Sequence, residues 1–306
     1  MEAKNTIYSL EGVPRVIDKM VSKELTLYSY FLKLSRKYNL NMKKLSRKKG
    51  QHFLIDENTI KREIQIADVR TDDVVLEIGA GLGFLTRYLL KKAKKVVAVE
   101  LDKTFFKILT SEFSHTDRLT ILQGDILKLS ELPKFTKIVS NIPYSITSPL
   151  FEKMTSWNFH SATLIIQHDV AKRLVANPKT KEYGKLTIFM KTNFEISLFD
   201  IVPPESFYPP PKVTSQIIQL IPLTTKFIWT PLAKSILAAL FNRKHKKVKH
   251  NLKVFYNQQK LSSPIIQKIK NQISEYLERR SIELSIEEVL YIINTLVKTV
   301  MADMNE

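Results

Sequence analysis

Cysteine is absent from the 306-residue chain. Disulfides, thiolate catalysis and cysteine-based zinc sites are thereby excluded, which fits a reducing compartment. Catalysis has to use other groups. Long apolar runs are missing as well: none approaches the roughly 20 residues that cross a bilayer. The N-terminal stretch carries Glu2, Glu11, Asp18 and Glu24 where a signal peptide would be basic and then apolar. A soluble, cytoplasmic protein with no membrane partner is expected. No internal repeat or low-complexity tract stands out. Acid is in short supply: 48 Lys and Arg against 30 Asp and Glu leave a net charge of +18. With a pI near 9.7, a polyanion is the natural partner.

What is present suits an ordinary globular chain, since 44% hydrophobic residues can bury one large core or a large and a smaller one. The basic excess is clustered in KKLSRKK, Lys43 to Lys49, and in RKHKKVKH, Arg243 to His250. One such run is as readily a solvated helix face. Two runs on top of the global excess favour nucleic acid.

Hydrophobic periodicity divides the chain into three parts. Residues 1–45 carry Val13, Val16, Ile17, Met20 and Val21 at mixed helical spacing and form an extension expected to be helical or partly mobile. Across residues 46–225, β-rich runs alternate with helical patterns. VVLEI precedes FLTRYLLKKA; VVAVE precedes KTFFKILTSEF; LTILQ follows; KIVSN precedes SPLFEKM; ATLIIQH precedes DVAKRLVA. Then come LTIFMKTNF and VTSQIIQLI. That alternation predicts an α/β fold, a doubly wound and mainly parallel sheet. After IPLTTKFIWTP, residues 226–306 show helical periodicity only, so a small C-terminal all-helical domain is expected.

The strongest local motif is VVLEIGAGLGFLT, residues 74–86. An apolar strand runs into Gly79, Gly81 and Gly83, and a helix pattern follows, placing glycine where a ligand approaches the backbone. A lone glycine loop carries little weight. Here the next strand ends in Glu100, at the spacing of a ribose-binding acid. The loop lacks the G-x-G-x-x-G pattern built around a pyrophosphate, which argues against a dinucleotide. The following strand ends supply Asp125, able to accept from an adenine amine, and then Asn141. Any one of these acids is more readily a helix cap or surface residue. Loop, ribose acid, adenine acid and polar edge in order at successive strand ends predict a Rossmann-like S-adenosyl-L-methionine site.

Asn141-Ile142-Pro143-Tyr144 closes the strand KIVSN. In isolation this is a strand-terminating turn with a packed tyrosine. Beside a cofactor loop in a basic chain it has another use. An aromatic amine is a poor nucleophile because its lone pair is delocalised into the ring. The Asn141 side-chain oxygen and the Ile142 carbonyl, held by Pro143, could accept both amine hydrogens and favour a pyramidal nitrogen. Tyr144 would stack on the extruded base.

The order of GQHFLID (Gly50 to Asp56), EIGAGLGFLT, Val99-Glu100, GDIL (Gly124 to Leu127), NIPYSITSP and FYPPPKVTS (Phe207 to Ser215) resembles the KsgA family of small-subunit rRNA adenine dimethylases, relatives of the Erm enzymes. The likeness covers roughly residues 48–255. It implies N6,N6-dimethylation of adenosine in small-subunit rRNA within ribosome biogenesis, on an assembly intermediate and by a monomer. It places His52, Leu54, Gly79, Gly81, Glu100, Asp125 and Asn141 at the cofactor and Asn141 to Tyr144 at the reaction. Tyr144 and Phe207 would lie on the target adenine. LFNRKHKKVKHNL gives Arg243, Lys244, Lys246 and Lys247 an RNA-contacting role, and no metal is called for. Ser145 departs from the Asn or Gln that many members carry. An Erm-like enzyme of the large subunit and a non-catalytic assembly factor are the rival readings.

Overall fold

The computed structural model describes residues 26–40 and 51–304. The Val13 to Val21 pattern and the Lys43–Lys49 run lie outside them. Nine strands are described: β1 (Phe53–Leu54), β2 (Val74–Ile78), β3 (Lys95–Glu100), β4 (Leu119–Gln123), β5 (Lys137–Asn141), β6 (Ser161–Gln167), β7 (Phe194–Val202), β8 (Phe207–Tyr208) and β9 (Ser215–Pro222). Seven form one sheet in the order β4-β3-β2-β5-β6-β9-β7. From β4 to β6 all pairings are parallel, and β9 joins β6 and β7 antiparallel. The order reverses at β2, whose neighbours are β3 and β5. There the chain turns from building one half of the sheet to building the other, opening a crevice at the carboxyl ends.

Helices cover both faces. They are α2 (Glu57–Ile66), α3 (Phe84–Leu89), α4 (Lys103–Glu112), α5 (Thr147–Met154), α6 (His168–Val175) and α7 (Lys185–Lys191), preceded by α1 (Leu27–Lys37). Covered faces explain why the central strands are apolar without alternation: Val75, Leu76, Val96, Val97 and Ile138 are all buried. Local chemistry starts the helices. The Asp56 carboxylate accepts from the N–H groups of Asn58 and Thr59, and that of Asp102 accepts from Thr104.

One expectation about this region fails. LTIFMKTNF, expected as a strand, is helix α7, followed by the long strand β7. Its β-branched and aromatic residues favour a strand, but as a helix it buries Ile188 against the C-terminal helices and Met190 in the cluster beneath the sheet. The Thr187 hydroxyl bonds the Arg173 carbonyl at 2.7 Å, so tertiary partners override propensity.

The N-terminal extension is described over residues 26–40. Its described part is helical and packs into the catalytic core. Leu27, Phe31 and Leu34 are buried. The Phe31 ring lies 5.8 Å from Phe53, 6.3 Å from Phe84 and 5.0 Å from Tyr208. On its outer side Tyr30, Lys37 and Tyr38 converge on Glu112 at the end of α4, each at 2.7 Å.

The last strand of the sheet ends at Pro222, and α8 (Pro231–Asn242), α9 (Val248–Gln258), α10 (Ser263–Gln272) and α11 (Ile286–Met304) follow. Proline in the first turn and Thr230, whose hydroxyl accepts from the Ala233 N–H, start α8. The helical core reaches back before residue 226. Tyr183 is fully buried within it, packs edge-on to Phe241 and donates to the Leu284 carbonyl at 2.8 Å. No helix among the described residues is long and apolar enough to cross a membrane.

Candidate active site

Three of the chain's seven glycines fall in the five residues after β2, and all three have positive φ: 73° at Gly79, 57° at Gly81 and 79° at Gly83. Side chains are strained there, and there is no room for them. A Cβ on Gly81 would meet the Phe53 ring at 3.1 Å, and one on Gly83 would meet Phe113 at 2.5 Å. The loop therefore turns tightly into α3 and leaves its backbone bare. It lines a cavity of about 560 Å³, together with Gln51, His52, Glu100, Asp125 and the Asn141 to Tyr144 turn. The size fits a nucleoside-sized cofactor.

Glu100 sits at the end of β3 and is almost fully buried. Its carboxylate accepts from the Gly81 N–H at 2.7 Å and the Asp102 N–H at 2.8 Å. Burial raises its pKa, against those two bonds. Each oxygen keeps a second lone pair toward the cavity, suited to a pair of ribose hydroxyls. Asp125 uses one carboxylate oxygen on the Leu127 N–H at 3.0 Å, leaving the other for an amine. Leu101 supplies an apolar wall between them: it is 58% exposed although aliphatic, and it lines the cavity. Ile126 lines the same wall. Neither was singled out from sequence, although Leu101 directly follows the ribose acid.

Two acids are buried here, Glu77 at the cavity lining and Glu63 outside it. Burial pushes the Glu77 carboxyl up to about 8, despite a hydroxyl bond from Thr86 at 2.6 Å. Glu63 on α2 is buried without a hydrogen-bond partner, and burial, reinforced by Glu77, raises its pKa well above the ordinary value. Glu77 is therefore a neutral acid at neutral pH or below.

At the mouth, β1 and β5 meet. The Asn141 side-chain amide donates to the His52 carbonyl at 3.2 Å, which turns its oxygen free for a ligand. The His52 ring contacts the Pro209 carbonyl through Nδ1 at 2.6 Å and lies 5.8 Å from the Tyr144 ring. Leu54 pairs with Phe207 across the β1–β8 ladder and also lines the cavity. The Tyr144 hydroxyl shares a 2.5 Å hydrogen bond with Ser215 Oγ. Burial raises the Tyr144 pKa, so the phenol stays neutral and its ring is pinned. No sequence spacing announces the Ser215 contact, which spans 71 positions. Ser145, the departure from the family pattern, is exposed at the rim.

Two expectations change. Phe207 is 1% exposed and belongs to the core beneath β1, not to the cavity wall; an aromatic in a two-residue strand is held by packing and cannot reach a base from there. Lys244 donates to the carbonyls of Lys181 and Tyr183, so it ties the 181–183 loop to the helical region instead of facing RNA. Lys247 stays exposed while it pairs at the surface with Glu278 at 2.8 Å. Arg243 and Lys246 are exposed, with no side-chain partner among the described residues.

S-adenosylmethionine fits this donor set: a bare glycine backbone, a buried ribose acid with open lone pairs, a second acid for an amine and an apolar slot between. Among the described residues no cluster of metal-ligating side chains occurs.

Comparison with known proteins gives the same picture. The family described as ribosomal RNA adenine dimethylase matches residues 42–294. A protein of Thermococcus sibiricus named probable ribosomal RNA small subunit methyltransferase A is 37% identical over 265 residues, 86% of this chain and 95% of that one. The crystal structure of a dimethyladenosine transferase from Plasmodium falciparum is 29% identical with a TM-score of 0.70, covering 81% of this chain and 98% of the other. That of the 23S rRNA methyltransferase ErmE is 25% identical with a TM-score of 0.57, covering 80% and 99%.

Proposed function

This chain belongs to the ribosomal RNA adenine dimethylase family, and on that premise we propose how its residues carry out dimethylation of adenosine N6 in small-subunit rRNA. The activity depends on S-adenosylmethionine, as in the family. When bound, the cofactor supplies an electrophilic methyl group. Glu100 would hold its ribose hydroxyls, Asp125 would accept from its adenine amine, and the Gly79–Gly81 backbone, His52 and Leu54 would line its site.

The observation that carries the reading is the Asn141 amide, which gives its N–H to the His52 carbonyl and keeps its oxygen for the target amine. That oxygen and the Ile142 carbonyl accept the two amine hydrogens, pull the nitrogen lone pair out of the ring and aim it into the cavity. This is catalysis by placement and polarisation. Tyr144, pinned by Ser215, stacks on the extruded adenine and offsets part of its unstacking cost. A second round on the monomethylated amine, which has one hydrogen left to offer, completes the product; each round leaves S-adenosylhomocysteine, and the amine loses one proton to solvent. Arg243 and Lys246 contact phosphates and orient the enzyme without reading sequence. The protein works in the cytoplasm, as a monomer, on an assembling small subunit.

Methyl transfer from labelled S-adenosylmethionine to unmodified small and large subunits, followed by nucleoside analysis, tests this. Dimethyladenosine in the small subunit alone is expected. Product confined to the large subunit would assign the chain an Erm-like role, and none on either, with cofactor still bound, would leave assembly without catalysis.

A further inference from the structure

Beyond the target adenine's own site, we infer that a second hollow at the carboxyl edge of the sheet binds a neighbouring nucleotide of the same RNA strand; this rests on the rRNA methyltransferase reading. The hollow encloses about 400 Å³ and is lined by Gln167, Asp169, Val170, Arg173, Val213 and Thr214. It is linked to the reaction centre through the start of β9. Gln167 on β6 is paired in register with Ser215 on β9, and Ser215 anchors the Tyr144 hydroxyl. The Thr214 carbonyl takes the His168 N–H at 3.0 Å, fixing the start of α6 against the same loop. A strand that places one base on Tyr144 can lay its neighbour along this edge.

The lining suits an unstacked base. Val213 is an exposed aliphatic side chain and Val170 a half-buried one, offering apolar contact to a ring face. Gln167 both donates and accepts, and Asp169 only accepts, so together they match the mixed edge of a base with an amine. The Asp169 carboxylate, paired with Lys172 at 3.0 Å, disfavours a phosphate inside the hollow. Arg173 is exposed, and its guanidinium has no hydrogen bond or ion pair among the described residues. It is free for a base edge or for stacking, as single-stranded RNA is commonly read.

The test is steady-state methyl transfer to unmodified small subunits by Arg173→Ala and by Val213→Asp, with cofactor affinity measured by calorimetry. Both positions are exposed, so folding survives. A rise in KM for the subunit of about tenfold or more, at unchanged kcat and unchanged cofactor affinity, is expected. Subunits with an abasic position beside the modified adenosine should show the same rise with the wild-type enzyme and no further rise with Arg173→Ala. Unchanged KM in both variants, with the wild type active, overturns the second site alone. A wild type inactive on both subunits overturns the methyltransferase reading and the second site with it.

Discussion

Replacing Phe31 by alanine asks whether the helix Leu27–Lys37, which precedes the matched family segment, is part of the catalytic unit. Phe31 has no exposed surface and packs against three rings from β1, α3 and β8. Phe→Ala in such a setting costs about 3–5 kcal/mol, since the lost transfer energy adds to a cavity that rigid neighbours cannot fill. For a domain of this size that lowers Tm by about 6–20 °C, at roughly 2–4 °C per kcal/mol. The effect should also reach the cofactor. The Phe53 ring that loses its partner is the one that closes on Gly81, and Phe53 lies between His52 and Leu54 of the cavity wall. Thermal unfolding, calorimetric cofactor binding and amide exchange over residues 27–37 read the three consequences. A loss below about 1 kcal/mol, with α1 still protected and cofactor affinity unchanged, would refute the packing argument.

Asn141→Ala should lower kcat by about 10²–10³, the scale for removing one preorganised hydrogen-bonding group, while the cofactor still binds; equal loss of binding would mean that the residue only builds the pocket. Glu77 has a folded pKa raised by burial to about 8, so its favourable contribution is complete below the unfolded value of 4.5 and disappears as pH rises through 8. Denaturant unfolding of the cofactor-free protein should then show the wild type losing up to about 1.4 kcal/mol per pH unit in that window, and Glu77→Gln losing less. Glu112 behaves oppositely. Burial would raise its pKa, but bonds from Lys37, Tyr38 and Tyr30 hold it down to about 2. Its contribution is therefore present above pH 4.5 and is lost as pH falls toward 2. Glu112→Gln should flatten that acid limb, and the exposed Lys37 partner keeps the size of the effect modest.

Much of this protein could be read in one dimension because the information is local. The glycine loop announces itself since only glycine takes positive φ beside Phe53 and Phe113 without strain. Glu100, Asp125 and Asn141 each end an apolar run, and parallel strands carry such ends to one edge whatever their exact neighbours. The excess of base over acid is a property of composition. What the sequence could not decide is which surface covers which. LTIFMK is equally apolar as strand or helix, and only the faces offered by neighbouring elements made it helical. Phe207 and Tyr208 are adjacent aromatics, and the pairing of β8 with β1 sent the first into the core. Lys244 and Arg243 are adjacent cations, and the position of the 181–183 carbonyls engaged one and left the other free. Helix α1 found its core partners more than twenty residues downstream, and Ser215 reached Tyr144 across 71 positions. Local pattern specifies what a segment can bury or bond, but the partner that satisfies it exists only once the chain has folded.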